Sequence, residues 1–268
     1  MIALPSRPDS VGALFLRIRV LGGRLDALTA ALAARPEIPF IDVSTSGDEI
    51  LAISWTRPGT RDHLVFRDLP ATRAVTSVAA VTVLHVFGEA SDWRHAVLSD
   101  AERTALTPVR QPGGVAAGPV DDIDRDILAA LEDDARAPAA AVAARTGHPD
   151  STVRRRIARL SRSGRLLTQV VVDPRRLGLF IDANVLMRVA PDRLDGVGRA
   201  LAAHPAVHGV FATTGASNLH VAVWLRDLEH LYRFITQDLG ALGVDGAETV
   251  IVGQAVKRPG KTRAAWTV

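Results

Sequence analysis

Asp150-Ser151-Thr152-Val153-Arg154-Arg155-Arg156-Ile157-Ala158-Arg159-Leu160-Ser161-Arg162-Ser163-Gly164-Arg165 is the stretch on which the reading of this chain turns. Val153, Ile157 and Leu160 recur at helical spacing and make one narrow apolar stripe. Arg154, Arg155, Arg156, Arg159 and Arg162 lie off that stripe. Asp150 suits the N-cap of such a helix, because its carboxylate accepts a free backbone N–H and favours the positive helix end. Gly164 supplies the residue that most easily takes a positive φ after a helix. The spacing therefore predicts a short helix, buried on one side and cationic on the other. A solvated charged face is the plain alternative, and the preceding residues decide between the two.

Upstream, Ile123, Ile127, Leu128 and Leu131 predict an amphipathic helix after Asp121-Asp122. Pro138 opens a second helix, Ala139–Arg145, with Ala140, Val142 and Ala143 as its apolar residues, and Gly147 ends it. A short Gly-containing turn then leads into the cationic helix. Two helices joined in this way are the helix-turn-helix pattern, whose second helix enters the major groove with its N-terminal residues at the base edges. Here those residues are Ser151, Thr152, Arg154 and Arg155. Arginine pairs bidentately with guanine, and Ser or Thr contacts base or phosphate. The run Leu166–Val172 predicts a strand, part of a wing. The insert as a whole spans residues 121–175, and Arg156, Arg159, Arg162 and Arg165 extend its candidate DNA-binding set.

Composition sets the frame. The 268 residues allow two or three small domains, and 47% apolar residues suffice for their cores. No cysteine is present, which excludes disulfides and thiolate metal sites. Residues 1–12 show no signal-peptide pattern, and no apolar run approaches the ~18 residues of a membrane span, so a soluble, cytoplasmic protein is expected. Net charge is only +3, so local arrangement matters more than the sum. The basic residues are nearly all Arg in an Ala- and Gly-rich chain, the mark of a high-GC genome, which again leaves arrangement as the argument.

The rest of the chain repeats itself. Arg24-Leu25-Asp26 recurs as Arg193-Leu194-Asp195. At the same offset Pro36 matches Pro205, Thr45 matches Thr214 and Trp55 matches Trp224. Each copy predicts strand (Ala13–Val20; Ala183–Val189), helix (Leu25–Ala34; Leu194–Ala203), strand (Ile38–Val43; Val207–Thr213), strand (Glu49–Trp55; Asn218–Leu225), helix (Asp62–Leu69; Leu228–Leu239) and strand (Ala79–Phe87; Glu248–Val256). That order is βαββαβ, the ferredoxin-like one. Two helices cover one face of such a sheet. The other, carrying Trp55 and Trp224, needs a partner sheet from the other copy or from a second chain. The fold class expected is α+β, a winged helix-turn-helix between two ferredoxin-like domains: residues 1–105 the first, 106–120 a Pro/Gly-rich linker, 121–175 the reader, and 176–268 the second with a C-terminal tail.

Asp122-Ile123-Asp124-Arg125-Asp126-Ile127-Leu128, Ala141-Val142-Ala143-Ala144-Arg145-Thr146-Gly147 and Ser151–Leu160 resemble the N-terminal domain of the Lrp/AsnC (leucine-responsive regulator) transcription factors. Asp173-Pro174-Arg175-Arg176-Leu177-Gly178 resembles the family's link into its βαββαβ effector domain, and residues 1–105 resemble a further effector domain, as in double-unit members. Such members carry another helix-turn-helix before the first effector domain. None is present here; either it is lost or the natural start lies upstream. The resemblance implies a DNA-binding regulator, a homodimer or larger assembly formed through the βαββαβ sheets, and a small-molecule effector such as an amino acid held between effector domains. The implied ligand residues lie at the turn before the third strand: Thr214, Gly215, Ser217 and Asn218, with Thr45, Gly47 and Asp48 in the first copy. The family's Thr-Gly-x-x-Asp turn is altered in both copies, and an ordinary polar hairpin is the plain alternative.

Other chemistry is weakly signalled. His204, His208 and His220 lack a metal-ligand spacing. Asp121, Asp122, Asp124 and Asp126 make a negative helix start. No phosphate loop or nucleophile elbow is present, so neither enzyme activity nor any cofactor or metal is expected. Two alternatives remain. Sirohaem decarboxylases resemble the same architecture, and there Arg side chains with His208 or His220 would hold a carboxylated tetrapyrrole. A regulatory partner that binds no DNA is the other.

Overall fold

The computed structural model describes residues 2–4, 12–56, 64–90, 93, 99–106, 120–132, 134–169, 172–258 and 261–262. The chain divides into two compact units. One holds the insert together with the strand Ile2–Leu4 and the helix Asp100–Leu106, so both ends of the expected first domain, residues 1–105, group with the insert instead. The other holds both βαββαβ copies. The expected linker, except Leu106 and Val120, lies outside the described residues.

The strands and helices follow in chain order as β1 (Ile2–Leu4), β2 (Gly12–Val20), α1 (Leu25–Ala33), β3 (Phe40–Ser44) and β4 (Glu49–Thr56). A π-helical turn (Leu64–Asp68) runs into α2 (Leu69–Ala71), and β5 (Val75–Gly88) and α3 (Asp100–Leu106) come next. The insert contributes α4 (Asp122–Leu131), α5 (Ala139–Thr146), α6 (Asp150–Arg162) and β6 (Leu167–Gln169). After a 3-10 turn at Pro174–Leu177 come β7 (Ile181–Arg188), α7 (Leu194–Ala202), β8 (Val207–Thr213) and β9 (Leu219–Leu225). Then α8 (Leu228–Arg233) passes into a π-helical segment (Phe234–Leu239) before β10 (Gly246–Arg258).

In the larger unit β10-β3-β4-β2-β5-β8-β9-β7 are neighbours in that order, and β7 pairs back onto β10, so the strands close into a ring. Closure depends on two long strands, each of which changes partner along its length. β5 lies antiparallel to β2 through Val75–Thr82 and to β8 through Val83–Gly88. β10 pairs β7 through Gly246–Ile251 and β3 through Val252–Lys257. Each copy therefore lends the end of its last strand to the other copy, and no edge is left open there. The partner face that the sequence required is supplied within the chain.

Three apolar layers follow from period-two alternation along the strands. One face of the second copy, with Met187, Val221 and Val223, packs on Leu201 and Phe234. The matching face of the first, with Ile18 and Ile41, packs on Leu32 and Leu69. Between the sheets Phe15, Leu51, Leu186 and Val250 meet, with Phe211 beside them.

The smaller unit has its own core of Ile127, Leu131, Val142, Val153, Leu160 and Leu166. The strand expected over Leu166–Val172 is described as β6 alone, with Val170 and Val171 outside the described residues. Its antiparallel partner is β1, with Ala3 opposite Thr168. Three residues at the start of the chain are too short a run to have been read as a strand.

Candidate nucleic-acid interface

The reading head is built from its capping residues upward. Asp121 caps α4: its carboxylate accepts from the Asp124 N–H at 2.9 Å, and Asp124 returns the contact to the Asp121 N–H at 3.3 Å. This is a reciprocal capping box, built from two aspartates. Gly147 ends α5 at φ +73°, a left-handed conformation that costs any residue with a Cβ, and donates to the Ala143 carbonyl at 2.9 Å. The turn is tied back to α4 by the His148 ring, 2.9 Å from Asp126.

α6 starts one residue earlier than the sequence suggested. Pro149 is the N-cap, and Asp150 is the first helical residue. Proline's fixed φ favours a helix start and leaves no N–H to satisfy. Freed from capping, the Asp150 carboxylate pairs instead with Arg154 one turn on, at 2.8 Å.

At about 100° per residue, Arg155 and Arg162 each lie some 200° round the axis from the buried Val153 and Leu160. They therefore point away from the core, and both are exposed, as is Ser151. Arg154 is exposed on one flank, bound to Asp150; Thr152 and Arg165 are half-buried. Arg162 also donates to the Ala158 carbonyl at 3.3 Å.

The expected DNA contacts divide at Arg156 and Arg159. Arg156 is 19% exposed, 2.7 Å from Asp121 and 3.3 Å from Asp124. Arg159 reaches the same Asp124 carboxylate, which is fully buried. Two of the cationic side chains are thus tied to a buried carboxylate of the head, Arg156 largely covered and Arg159 still 40% exposed. Sequence reasoning missed this brace, although it left a signal. Asp124 stands three residues before Ile127 and seven before Leu131, on the apolar stripe of α4, where a lone charge requires a partner.

The implied effector residues sit at the crossings of the ring. The Thr214 N–H donates to the Thr82 carbonyl at 2.9 Å, and Thr214 Oγ1 accepts from the Thr82 N–H at 2.9 Å. Thr45, the matching residue of the first copy, donates its N–H to Ile251, the match of Thr82, also at 2.9 Å. Asn218 spends its amide on both backbone groups of Val189, at 2.9 and 2.8 Å. The Ser217 carbonyl accepts from Thr213 Oγ1. Gly215 has φ +97°, and a Cβ there would fall 2.9 Å from a Val81 methyl. Gly47 (φ +71°) has open space, and the Asp48 carboxyl is held below its usual range chiefly by the Ser46 hydroxyl. These turns seal the ring.

Polar chemistry inside the ring gathers where β3 meets β10. Arg258 lies 2.5 Å from Asp42 and 3.4 Å from Asp182, and the His208 ring is 3.6 Å from Asp182. His208 stacks on Trp224 at 3.8 Å, and Trp93 meets Trp224 edge-on at 5.0 Å. Burial raises the Asp42 carboxyl against the pull of Arg258. Burial also works to raise Asp182, yet His208 and Arg258 bring it below its ordinary value. Beside His208 lies a cavity of about 40 Å³ lined also by Trp93, Gly88 and Val210, room for a few waters. His220 is packed between Phe15 (4.5 Å) and Phe211 (5.3 Å). Burial lowers its pKa to about 4. Among the described residues no group of acids and histidines is placed to hold a metal, and no helix is long and apolar enough to cross a membrane.

A helix-turn-helix with a basic outward stripe, in one chain with βαββαβ sheets, defines a class of nucleic-acid-binding proteins. Comparison with known proteins narrows it. Residues 120–161 match the AsnC-type helix-turn-helix domain, and residues 182–262 match the Lrp/AsnC ligand binding domain. The HTH-type transcriptional regulator FL11 of Pyrococcus horikoshii is 32% identical over 135 residues, which is 50% of this chain and 89% of that protein. The HTH-type transcriptional regulator AldR of Mycolicibacterium smegmatis is 33% identical over 161 residues, 57% of this chain and 94% of that protein. The chain belongs to the Lrp/AsnC family. A solved structure of the siroheme decarboxylase NirDL covers 96% of this chain and 78% of its own, with a TM-score of 0.59 at 14% identity. That is a likeness of fold, and it extends over both copies.

Proposed function

We propose that the protein is a sequence-specific DNA-binding transcriptional regulator of the cytoplasm, in which α6 enters the major groove. The observation that carries this reading is the outward stripe Ser151–Arg155–Arg162 on a helix whose opposite side is fully packed. Arg155 lies in the first turns of α6, where a recognition helix meets base edges. Arg162, near its far end, is suited to phosphate. Residues 12–88, with the element order of the second copy, act as a further effector-type domain. An amino acid or similar small molecule bound at the paired copies modulates DNA binding.

Two reading heads come from two chains, on half-sites about one turn (~34 Å) or a multiple apart. Since each ring is completed within one chain, the chains join through surfaces outside the covered sheet faces. The tetrapyrrole-enzyme reading would need His208 or His220 turned to a ligand. The first is stacked on Trp224 beside Asp182, and the second lies between two Phe rings. Gel shift with genomic fragments tests the regulator reading, which expects retarded fragments that share a motif. An absorbance titration with sirohaem tests the enzyme reading, and no spectral change is expected. A sirohaem shift with no DNA retardation would reverse the assignment.

A further inference from the structure

The brace beneath the recognition helix has a role that its neighbours define. Asp124 is buried in the head's core, two residues into α4, with its backbone N–H fixed by Asp121. Its carboxylate receives Arg156 and Arg159. On α6 these two arginines lie three residues apart, so they share one flank, between the buried stripe of Val153 and Leu160 and the outward stripe of Arg155 and Arg162. The apolar core of Val142, Val153, Leu160 and their neighbours holds the inner side of α6. A charged clamp on one flank sets its rotation about the axis, because any turn that would bring Arg159 further outward leaves the buried carboxylate short of its cation. The opposite flank holds no such anchor: Arg154 is paired within α6 itself, to Asp150.

We propose that Asp124 is a positioning residue for DNA reading. By tying Arg156 and Arg159 to that flank it fixes the azimuth of α6, so that Arg155 and Arg162, and not the braced pair, face the groove. This inference rests on the DNA-reading function proposed above. It makes two statements that a stabilising salt bridge alone does not make. Arg159 neutralises no phosphate in the complex, and losing Asp124 releases cations to the DNA.

The test uses the full-length protein, a duplex selected from a random pool by the wild type, and a scrambled duplex of the same composition. Binding is titrated over a range of salt, where each neutralised phosphate adds about 0.9 to the slope of log K against log salt. For Asp124→Asn the expected result is a loss of roughly tenfold or more in selected-over-scrambled preference, with a salt slope steeper by about one to two. For Arg159→Gln, which buries no new charge, several-fold loss of preference with an unchanged slope is expected. This second variant also covers the case in which Asp124→Asn does not fold by circular dichroism. An Arg159→Gln slope shallower by about one would make Arg159 a phosphate contact and overturn the proposal. Wild-type preference and slope in the folded variants would overturn it as well. If the wild type itself selects no sequence, the DNA-reading function fails, and the positioning role falls with it.

Discussion

The two crossings of the ring are built from matching positions of two copies and yet differ in chemistry. At the β3–β10 crossing stand Asp42, Asp182, His208, Trp224 and Arg258. At the β5–β8 crossing the residues at the same offset are Phe211, Ala13, Pro39, Trp55 and Glu89. The backbone contacts are the same, Thr45 to Ile251 at one and Thr214 to Thr82 at the other. Main-chain geometry alone closes the ring at either end, so it does not require the charges. A symmetric pair of separate chains would carry the same residues at both ends. Joining the copies in one chain lets the ends diverge, and this chain has placed buried charge at one of them. Asymmetry of a different kind is added by Arg17 of the first copy, which holds Glu49 of its own copy and, bidentately, Glu248 of the second.

The largest effect is expected at the charged crossing. Arg258→Ala leaves Asp42 and Asp182 facing each other without their cation, and breaking a buried pair in this way costs about 3–5 kcal/mol. Urea denaturation should show it, and a loss below about 1 kcal/mol would mean that the charges add little to this crossing.

His220 comes next. Its folded pKa of about 4 lies below the unfolded value of 6.5. Between those values the unfolded chain binds the extra proton, so stability rises with pH across the window and is lost as pH falls from about 6.5 towards 4. The full loss amounts to about 3 kcal/mol. His220→Leu should flatten that part of the stability profile; an unchanged difference between pH 7 and pH 4 would show that His220 does not set it. Arg155→Ala should cost roughly 1–3 kcal/mol of specific binding and relax preference at one base pair. Uniform loss on every sequence would make Arg155 a phosphate contact. Smallest is Gly215→Ala, where the left-handed backbone and the Val81 methyl together cost about 1–2 kcal/mol. Thermal melting measures it, and Gly47→Ala, with open space but the same sign of φ, should cost less.

Much of this was legible beforehand because periodicity reports on burial. Val153, Ile157 and Leu160 marked the inner side of α6, and alternation along Leu219–Leu225 marked a strand with two different faces. The order βαββαβ followed from such runs. Three things were not legible. Partner was one: the apolar runs announced β5 and β10 nearly to their ends, but not that the last part of each pairs across copies, with β8 and β3. Pairing between distant charges was another: Arg156 and Arg159 looked like Arg155, and only the acid at a core position of α4 separates them. The turn residues were the third. Thr214 and Asn218 have the chemistry of a ligand site, and the backbone of the neighbouring strand uses that chemistry first.

The exposed stripe of α6 is what must read sequence if the protein is a regulator. Selection from a random duplex pool by the full-length protein, with the Arg155→Ala/Arg162→Ala double variant in parallel, measures this directly. Enrichment of one motif by the wild type and its loss in a folded double variant is the predicted result. No enrichment by the wild type, or the same motif enriched by both, would contradict it.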